Sequence, residues 1–434
     1  MEDYSSSETP RIEEDYGNKD NVNRENRSEM DASIPLEARR MNSSYSHSLA
    51  RTITSTIGNE LRTVPSLQEI EVESTIGPSR PQFWKPGNIM SVEDTPFSKR
   101  YLVLLEVVFG SILGNMARIS LTKLTSYQNE YLHYSPGSCL WSNFSACFIM
   151  AWCNHAVGFW DSLLLDSGKN NMKQMALHTG ITAGFCGSFS TWSSLVAELL
   201  FKTIDALNGG YPLPNSGYGV LEFFAVLLIQ MGVSFFGYYL GRDFAALLDL
   251  WAVFNRASRL LNYKVCRIFE LTTAGLAIAG FIANLVLTCT LPLDNFWKKD
   301  YSLSILFGVV GAILRFQLSK YNGKFHMKWF PAGTLMANVL ACTVLAVVTL
   351  LNNGYIDSST QSRIVSNKVH RMVINAFVSG FCGSLSTISS FVNELYNLKH
   401  PIQRYTYFSV TFLPSFIIML LIDGTFVWTR GFIQ

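Results

Sequence analysis

Apolar runs of about 20 residues recur from roughly residue 100 to the end of the chain, separated by short polar stretches. Each run approaches the length that an α-helix needs to cross the hydrocarbon core of a bilayer. The pattern predicts nine spans. They cover residues 101–121, 139–160, 176–200, 219–241, 269–291, 301–319, 332–351, 371–396 and 404–429. The chain is therefore predicted to be an all-α integral membrane protein.

The stretch before these spans, residues 1–96, is rich in Ser, Glu, Asn and Arg and has neither helical nor strand periodicity. We expect it to be disordered, because it has too little apolar surface to bury. No apolar signal-peptide core lies near Met1, so the first span is expected to direct insertion. The basic residues Lys85, Lys99 and Arg100 precede that span and predict a cytosolic tail.

Three blocks of the membrane part occur twice, in the same order. GFCGSFSTWSSLVAE (184–198) and GFCGSLSTISSFVNE (380–394) are identical at 11 positions. FGSILGNMARISLTK pairs with FGVVGAILRFQLSK, and PGSCLWSNFSAC pairs with PAGTLMANVLAC. The aligned pairs Arg118/Arg315, Asn143/Asn338 and Glu198/Glu394 lie 195 to 197 residues apart. The repeat predicts two four-helix halves joined by one linker helix, a 4+1+4 layout.

One linker span turns the second half upside down relative to the first. The predicted organisation has four parts. They are a disordered cytosolic tail (1–96), a first half (97–245), a cytosolic loop with the linker helix (246–298) and an inverted second half (299–434). Basic residues fall mainly in the loops that this topology places inside, although Arg363, Lys368 and Arg371 lie on an outward loop.

Glycine, serine and threonine at the density of the duplicated stretch are poor helix formers. We therefore predict a broken third helix in each half, which frees backbone groups at mid-membrane depth. The carbonyls near Gly187, Ser190, Gly383 and Ser386 can hold a cation, and the half-helix N-termini after them can face an anion. Close packing between helices is the alternative interpretation of these small residues.

Several polar residues within the spans are candidates for chemistry. Asn143 and Asn338 are amides that can donate to an anion without charge, or bond to a neighbouring helix. Arg118 and Arg315 can snorkel to a membrane face or supply positive potential. Glu198 and Glu394 fall near helix ends. Each carboxylate can be a solvated or packing-related charge, or it can relay protons.

Two aromatic positions follow each break. The first half has Trp192 and Leu195 there, three residues apart on one helical face, and the second half has Ile388 and Phe391. Aromatic ring edges carry partial positive charge, so a pore lined by them can solvate a small anion. Packing is the alternative role for an aromatic residue in a span.

Composition adds little. A net charge of +2 says nothing about nucleic acid, and we expect no nucleic-acid partner. The eight cysteines lie in or beside apolar runs without CxxC or Cys/His ligand spacing, and we interpret them as small buried residues. No nucleophile and base pair, metal cluster or nucleotide loop stands out, so we expect no enzyme activity.

The blocks G-x-x-x-R, P-x-G/x-T-L-x-x-N and G-F-C-G-x-x-[ST]-T-x-S-[ST] together resemble the fluoride channel family, called Fluc (CrcB) in bacteria and FEX in fungi and other eukaryotes. The resemblance covers residues 101–429. Bacterial members resemble one half and form antiparallel dimers, whereas eukaryotic members resemble both halves and the extra helix. The long tail and the 4+1+4 layout favour a fungal fluoride exporter that works as a monomer, a pseudo-dimer.

The resemblance implies passive fluoride export across the plasma membrane and a structural sodium ion held by backbone carbonyls. The implied sodium site uses Gly187, Ser190, Gly383 and Ser386. The pore residues implied or expected beside it are Trp192, Phe391, Asn143, Asn338, Thr334, Ser193, Ser389, Thr191, Thr387, Arg118 and Arg315. The family's paired pore phenylalanines fall on Trp192 and Leu195 and on Ile388 and Phe391, so only one of four is phenylalanine.

The resemblance implies that each pore of the bacterial relatives takes the first aromatic residue of one subunit and the second aromatic residue of the other. Applied here, one pore pairs Trp192 with Phe391 and keeps two rings, while the other pairs Leu195 with Ile388 and keeps none. We therefore expect one working pore. Two alternatives stay open: a proton-coupled anion transporter that uses Glu198 or Glu394, and a membrane scaffold or receptor that transports nothing.

Overall fold

The computed structural model describes residues 96–127, 134, 137–165, 172–206, 212–250, 263–324, 327–357 and 362–432. The predicted tail before residue 96 lies outside these described residues, as does Pro136 of the repeat. The first part of the chain forms α1 (Pro96–Thr125), α2 (Leu140–His155), α3 (Val157–Leu165), a 3₁₀ turn (Met172–Gln174), α4 (Ala176–Thr179), a π-helix (Gly180–Cys186), α5 (Gly187–Phe189), α6 (Trp192–Thr203), α7 (Gly217–Leu250) and α8 (Tyr263–Thr290).

The second part repeats this order and adds a short hairpin. It forms a π-helix (Lys298–Ser302), α9 (Leu303–Ser319), α10 (Ala332–Asn353), the antiparallel strands β1 (Tyr355–Asp357) and β2 (Ser362–Arg363), α11 (Lys368–Phe377), a π-helix (Val378–Cys382), α12 (Gly383–Leu385), α13 (Ser389–Asn397), α14 (Pro401–Met419), a π-helix (Leu420–Gly424) and α15 (Thr425–Thr429). We call α4 to α6 the first broken helix, α11 to α13 the second broken helix, and α14 to α15 the last helix.

Seven helices in the described part of the chain are long and apolar enough to cross a membrane. They are Arg100–Thr125, Gly217–Asp249, Val265–Thr290, Lys298–Ser319, Ala332–Asn353, Lys368–Asn397 and Pro401–Thr429. These helices indicate a multi-pass membrane protein and confirm its all-α character.

Two of the nine predicted spans are not among the seven. The helix α2 has only 16 residues before the chain bends at Ala156, so it is about 24 Å long and shorter than a hydrocarbon core. The other is the first broken helix, which Ser190 and Thr191 interrupt. The second broken helix is interrupted at the matching place and is still among the seven, so the break alone does not explain this difference.

The first helix of each half packs tightly against the broken helix of the same half. A Cβ atom added to Gly114 would lie 2.5 Å from the Phe185 carbonyl oxygen, and one added to Gly311 would lie 2.5 Å from that of Phe381. Such contacts are sterically forbidden, so both positions require glycine. Close backbone approach through small residues is how helices associate where lipid provides no hydrophobic drive.

The cysteine prediction is correct for seven residues and wrong for one. Seven are buried free thiols, whereas Cys289 is exposed near the end of α8. The same helix exposes Leu285, Val286 and Leu287, so its apolar surface faces outward. Cys289 lies on this exposed apolar surface rather than in the core. The largest buried cluster surrounds the two breaks and includes Trp192.

Candidate functional site

Both duplicated stretches stop being helical at the same place. In the first, Ser190 (φ −90°, ψ 156°) and Thr191 (φ −146°, ψ 123°) are extended. In the second, Ser386 is extended with φ −84° and ψ 155°. Serine and threonine suit these positions because their hydroxyls can replace lost backbone partners.

The two breaks contact each other through hydroxyl groups. The Ser190 hydroxyl lies 3.2 Å from the Thr387 hydroxyl and donates to Ser389 Oγ at 3.0 Å. The Ser389 amide returns a bond to Ser190 Oγ at 3.2 Å. All three side chains are buried, so one half supplies partners that the other half lacks.

The same contacts recur with the halves exchanged. The Ser386 hydroxyl lies 3.2 Å from the Thr191 hydroxyl and 2.9 Å from the Ser193 hydroxyl. The Ser193 amide donates to Ser386 Oγ at 3.1 Å. The repeat seen in the sequence is thus a pseudo-two-fold arrangement whose centre is this buried hydroxyl network.

The two asparagines bind the backbone of the breaks. Asn143 Oδ1 accepts the Thr191 amide at 2.8 Å, and Asn143 Nδ2 donates to the Thr191 carbonyl at 3.3 Å. Asn338 makes the same pair of bonds to Thr387, at 2.8 and 3.1 Å. Of the two interpretations left open by the sequence, this geometry supplies the structural one, because each amide satisfies a peptide that no helix satisfies.

Because of these contacts, two backbone amides after the first break do not donate to the carbonyls that they would bind in a continuous helix. In an unbroken helix the Gly187 carbonyl would accept from the Thr191 amide, which here donates to Asn143. The Ser190 carbonyl would accept from the Ser194 amide, which here donates to the Thr191 hydroxyl at 3.3 Å. Both carbonyls therefore lose their helical partners.

The second break loses the same two partners. The amide that would bind the Gly383 carbonyl belongs to Thr387 and donates to Asn338. The amide that would bind the Ser386 carbonyl belongs to Ser390 and donates to the Thr387 hydroxyl at 3.4 Å. Four carbonyl oxygens released at the junction of two breaks fit a hard monovalent cation, which prefers oxygen ligands.

The two arginines cross between the halves. Arg118 of the first half donates to the Ser379 carbonyl of the second at 2.6 Å. Arg315 of the second half donates to the Ala183 carbonyl of the first, and also to the Ser384 carbonyl. Both guanidinium groups are buried, so neither snorkels to a membrane face. They place positive charge beside the breaks, which favours an anion there.

Trp192 and Phe391 contact each other across the interface between the halves. Their ring centroids are 4.8 Å apart at an interplanar angle of 56°, and neither side chain is exposed. The Trp192 indole donates from Nε1 to Ser415 Oγ at 3.2 Å. Phe391 packs on Tyr407 with a centroid distance of 5.0 Å. The ring pair therefore lies against the last helix.

The last helix presents a polar stripe to this ring pair. Tyr407, Thr411 and Ser415 are spaced by four residues and are fully buried, so they share one face. The Thr411 hydroxyl donates to the Tyr407 carbonyl at 2.8 Å, and the Ser415 hydroxyl donates to the Thr411 carbonyl at 2.7 Å. We call these three residues the hydroxyl stripe.

Glu394 lies at one end of the hydroxyl stripe and is held by three donors. It accepts from Tyr407 at 2.6 Å, from Thr334 at 2.6 Å and from Asn322 Nδ2 at 2.9 Å. The predicted residue Thr334 is thus a direct partner of this carboxylate.

The aliphatic pair occupies a different environment. Leu195 and Ile388 are fully buried, and the matching helix α7 carries Gln230, Ser234 and Tyr238 at the same spacing of four. The counterpart acid Glu198 accepts from Gln230 at 2.9 Å and from the Ser138 hydroxyl at 3.0 Å. We call Gln230, Ser234 and Tyr238 the α7 stripe.

Tyr238 blocks the α7 stripe where the last helix has the small residue Ser415. Its hydroxyl donates to Asn393 Oδ1 at 2.7 Å and lies 3.4 Å from His155 Nε2. Its ring packs on Tyr396 with a centroid distance of 5.0 Å. The aliphatic side therefore ends in a packed and bonded tyrosine.

Two cavities approach the breaks from opposite ends of α10. The first, of about 560 Å³, reaches Thr191 and Ser194 at the first break. Five of its lining residues are basic and one, Asp300, is acidic. The basic residues are Arg118, Lys123, Lys299, Arg363 and Arg371. This balance draws anions into the cavity.

The second cavity, of about 590 Å³, reaches Glu394 at the end of the hydroxyl stripe. Lys173, Lys399 and His400 lie around its opening. Lysine side chains thus line both cavities.

The hydroxyl stripe and Asn322 were missed by the sequence reasoning, although a signal for the stripe exists. A tyrosine, a threonine and a serine at positions i, i+4 and i+8 of an apolar run form a polar face, and such a face on a membrane-spanning helix indicates a contact with polar groups inside the protein. Asn322 lies in a loop, and only the fold brings it to Glu394.

The fold and this site define a class: internally duplicated, multi-pass membrane proteins with a polar path between broken helices. The model of the family described as CrcB-like protein, Camphor Resistance (CrcB), matches residues 105–241 and 302–424. The chain belongs to this family.

Named relatives agree with that assignment. Fluoride export protein 1 of Candida albicans is 35% identical over 338 residues, covering 77% of this chain and 82% of that protein. Fluoride export protein 1 of Saccharomyces cerevisiae is 29% identical over 358 residues, covering 74% and 92%. The fluoride-specific ion channel FluC of Sulfurihydrogenibium is 30% identical over 96 residues, covering 22% and 68%. No solved structure matches the chain.

Proposed function

We propose that this protein exports fluoride as a passive, selective channel and so confers fluoride resistance. The observation that carries the proposal is the Trp192–Phe391 ring pair packed against a buried hydroxyl stripe. Relatives named as fluoride export proteins and as a fluoride-specific channel support the choice of ion.

Fluoride is small and strongly hydrated, so a pore must replace its water with hydrogen-bond donors. The hydroxyl stripe supplies three rotatable O–H groups, whose present acceptors are backbone carbonyls or Glu394. The ring pair adds partial positive edges, and Trp192 adds an indole N–H. These groups serve an anion, and close packing of the rings excludes larger anions such as chloride.

The halves provide one conducting path rather than two. The path beside Trp192 and Phe391 has hydroxyl and indole N–H donors along its length. The path beside Leu195 and Ile388 offers an ion only aliphatic side chains at this level. Tyr238 closes the α7 stripe beyond them. Asn143, Asn338, Arg118 and Arg315 then hold the breaks in place and make the surroundings positive.

A structural sodium ion is the cofactor that we propose for the junction. The donors are the carbonyls of Gly187, Ser190, Gly383 and Ser386, whose helical amides are diverted to side chains. Backbone carbonyls at unwound helices suit sodium, because a hard cation binds neutral oxygen without needing a carboxylate. If this is correct, replacing sodium by N-methylglucamine should lower the thermal stability of purified protein.

For topology we propose nine spans in a 4+1+4 layout, with α2 and the first broken helix as the two spans below full length. The four parts are a cytosolic tail (1–96), a first half (97–245), a loop and linker helix (246–298) and an inverted half (299–434). The tail begins in the cytosol, the molecule works as a monomer, and the membrane is the plasma membrane. Under this topology the first cavity, which five basic residues line, opens to the outside of the cell.

A fluoride electrode outside liposomes that contain the purified protein tests the proposal. A potassium diffusion potential without a pH gradient should drive fluoride efflux, with chloride as the control ion. A proton-coupled carrier would need the pH gradient, and a scaffold would pass no fluoride. Either of these results overturns the channel assignment.

A further inference from the structure

Asp423 is a buried acid that the path described so far does not use. It lies in the π-helical segment Leu420–Gly424 of the last helix and is not exposed at all. Neither of its carboxylate oxygens has a hydrogen-bond partner in the part of the chain that the structure describes. An ionised carboxylate without partners inside a membrane is costly, so such a residue marks a functional site.

The position of Asp423 continues the hydroxyl stripe. Tyr407, Thr411, Ser415, Met419 and Asp423 follow one another at intervals of four residues, and none of the five is exposed. This row of every fourth residue turns by about 40° around the last helix at each step, and it stays buried from the end near Glu394 to Asp423. The π-helical turn lies at the far end of this row, and such turns are frequent at functional sites.

The elements packed around Asp423 carry few charges. The titratable or charged residues on them are Glu198 and Lys202 on α6, Cys342 on α10, Arg404, Tyr405 and Tyr407 on α14, and Tyr134 before α2. The three α14 residues lie about four turns away along the helix or further. The short helix α15 carries none.

Tyr134 connects Asp423 to the outward cavity. It lines that cavity and is almost fully buried. Tyr134 belongs to the same buried apolar cluster as Met419, Leu420 and Ile422, which are neighbours of Asp423 on the last helix.

We propose that Asp423 carries a proton at the outer end of the fluoride path and donates a hydrogen bond from its O–H group to the passing ion. The inference rests on the proposed channel function. As a neutral acid, Asp423 adds one O–H donor to those of the hydroxyl stripe. As a carboxylate it would repel fluoride. Hydrogen fluoride is a stronger acid than a carboxylic acid, so the proton stays on Asp423 while the ion passes.

The α7 stripe has no acid at the matching position. Four residues after Tyr238 comes Arg242, which bonds to Tyr396 and Asp243, and four residues later comes Ala246, where the last helix has Asp423. The helix α7 also runs from Gly217 to Leu250 without a π-helical turn. The acid and the distorted turn thus occur together on the helix that contacts the ring pair.

The test compares fluoride efflux from liposomes for the full chain and its Asp423→Asn and Asp423→Leu variants. Equal pH on both sides is stepped between about pH 5 and about pH 9, a range that brackets the ionisation of a buried carboxylic acid. Asp423→Leu should lower efflux about tenfold, because it removes a donor. Asp423→Asn keeps a donor that cannot ionise, so its efflux should stay within about twofold of the maximum at every pH.

The unmodified chain should lose efflux as the pH rises, since Asp423 then becomes an anion. The exposed acid Asp294 provides the matched control, and Asp294→Asn should keep the profile of the unmodified chain. If Asp423→Asn shows the same pH profile as the unmodified chain, the inference is wrong, even if Asp423→Leu does not fold. An unmodified chain that passes no fluoride at any pH overturns the channel function itself.

Discussion

The path beside Trp192 and Phe391 and the one beside Leu195 and Ile388 share a backbone plan and differ in their linings. The residues that hold the breaks are duplicated without change, as Asn143/Asn338 and Arg118/Arg315 show. The aromatic and aliphatic residues that line the two paths are not. The comparison teaches that in a duplicated chain the matching residues identify the scaffold, and the mismatched ones distinguish the two paths between the halves.

The strongest test of this comparison exchanges the linings. Trp192→Leu or Phe391→Ile should lower fluoride efflux by about 100-fold, because each removes a ring edge that replaces water. Leu195→Ala and Ile388→Ala should leave efflux within about twofold and cost about 2 kcal/mol of stability through lost packing. Liposome efflux and thermal unfolding of the purified variants measure the two effects. If the aliphatic pair proves as essential for conduction as the ring pair, the assignment of the paths is wrong.

The next test concerns the part that both halves share. A Cβ atom at Gly187 would overlap the Arg315 guanidinium, and one at Gly383 would overlap that of Arg118. Because both arginines are buried and bonded to the other half, Gly187→Val and Gly383→Val should each cost about 3 kcal/mol of stability.

The matched control for the glycines is Leu228→Val, since the Leu228 side chain is 69% exposed on α7. Its thermal stability should change by no more than about 0.5 kcal/mol. Equal tolerance at all three positions would mean that the guanidinium contacts do not hold the breaks.

A smaller effect separates the two stripes. Thr411→Val keeps the shape of the side chain but removes an O–H donor from the conducting path, so efflux should fall about tenfold. Ser234→Ala makes the comparable change in the α7 stripe and should leave efflux within about twofold. Efflux assays on the two folded variants decide between one path and two: similar losses would show that the α7 stripe also carries fluoride.

The smallest effect is expected outside both halves. Deleting residues 1–91 should leave fluoride resistance within about twofold in cells that lack their own exporter, since a stretch with this little apolar sequence is expected to add little to a membrane core. The growth of these cells in fluoride is the measurement. Lost resistance at normal surface expression would give the tail a part in the mechanism.

Local patterns were enough to predict the duplication and the breaks, because Gly, Ser and Thr oppose a helix wherever they cluster. The pairing of Trp192 with Phe391 came from the resemblance to the fluoride channel family. The bonds of Asn143 to Thr191 and of Arg118 to Ser379 were out of reach, since they join residues 48 and 261 positions apart. The shortness of α2 was also missed, because hydropathy does not show where Ala156 bends the chain.

The crossed arginines have a consequence for biogenesis. When the first half leaves the ribosome, Arg118 and the carbonyl of Ala183 both lack the partners that only the second half can supply. Until synthesis reaches Ser379 and Arg315, the Arg118 guanidinium has Asn115 as a partner within its own helix, but the first break stays open. The two halves of this chain can pair only after the second half has been translated. Fusion of the halves thus guarantees one-to-one assembly and makes the order of translation part of folding.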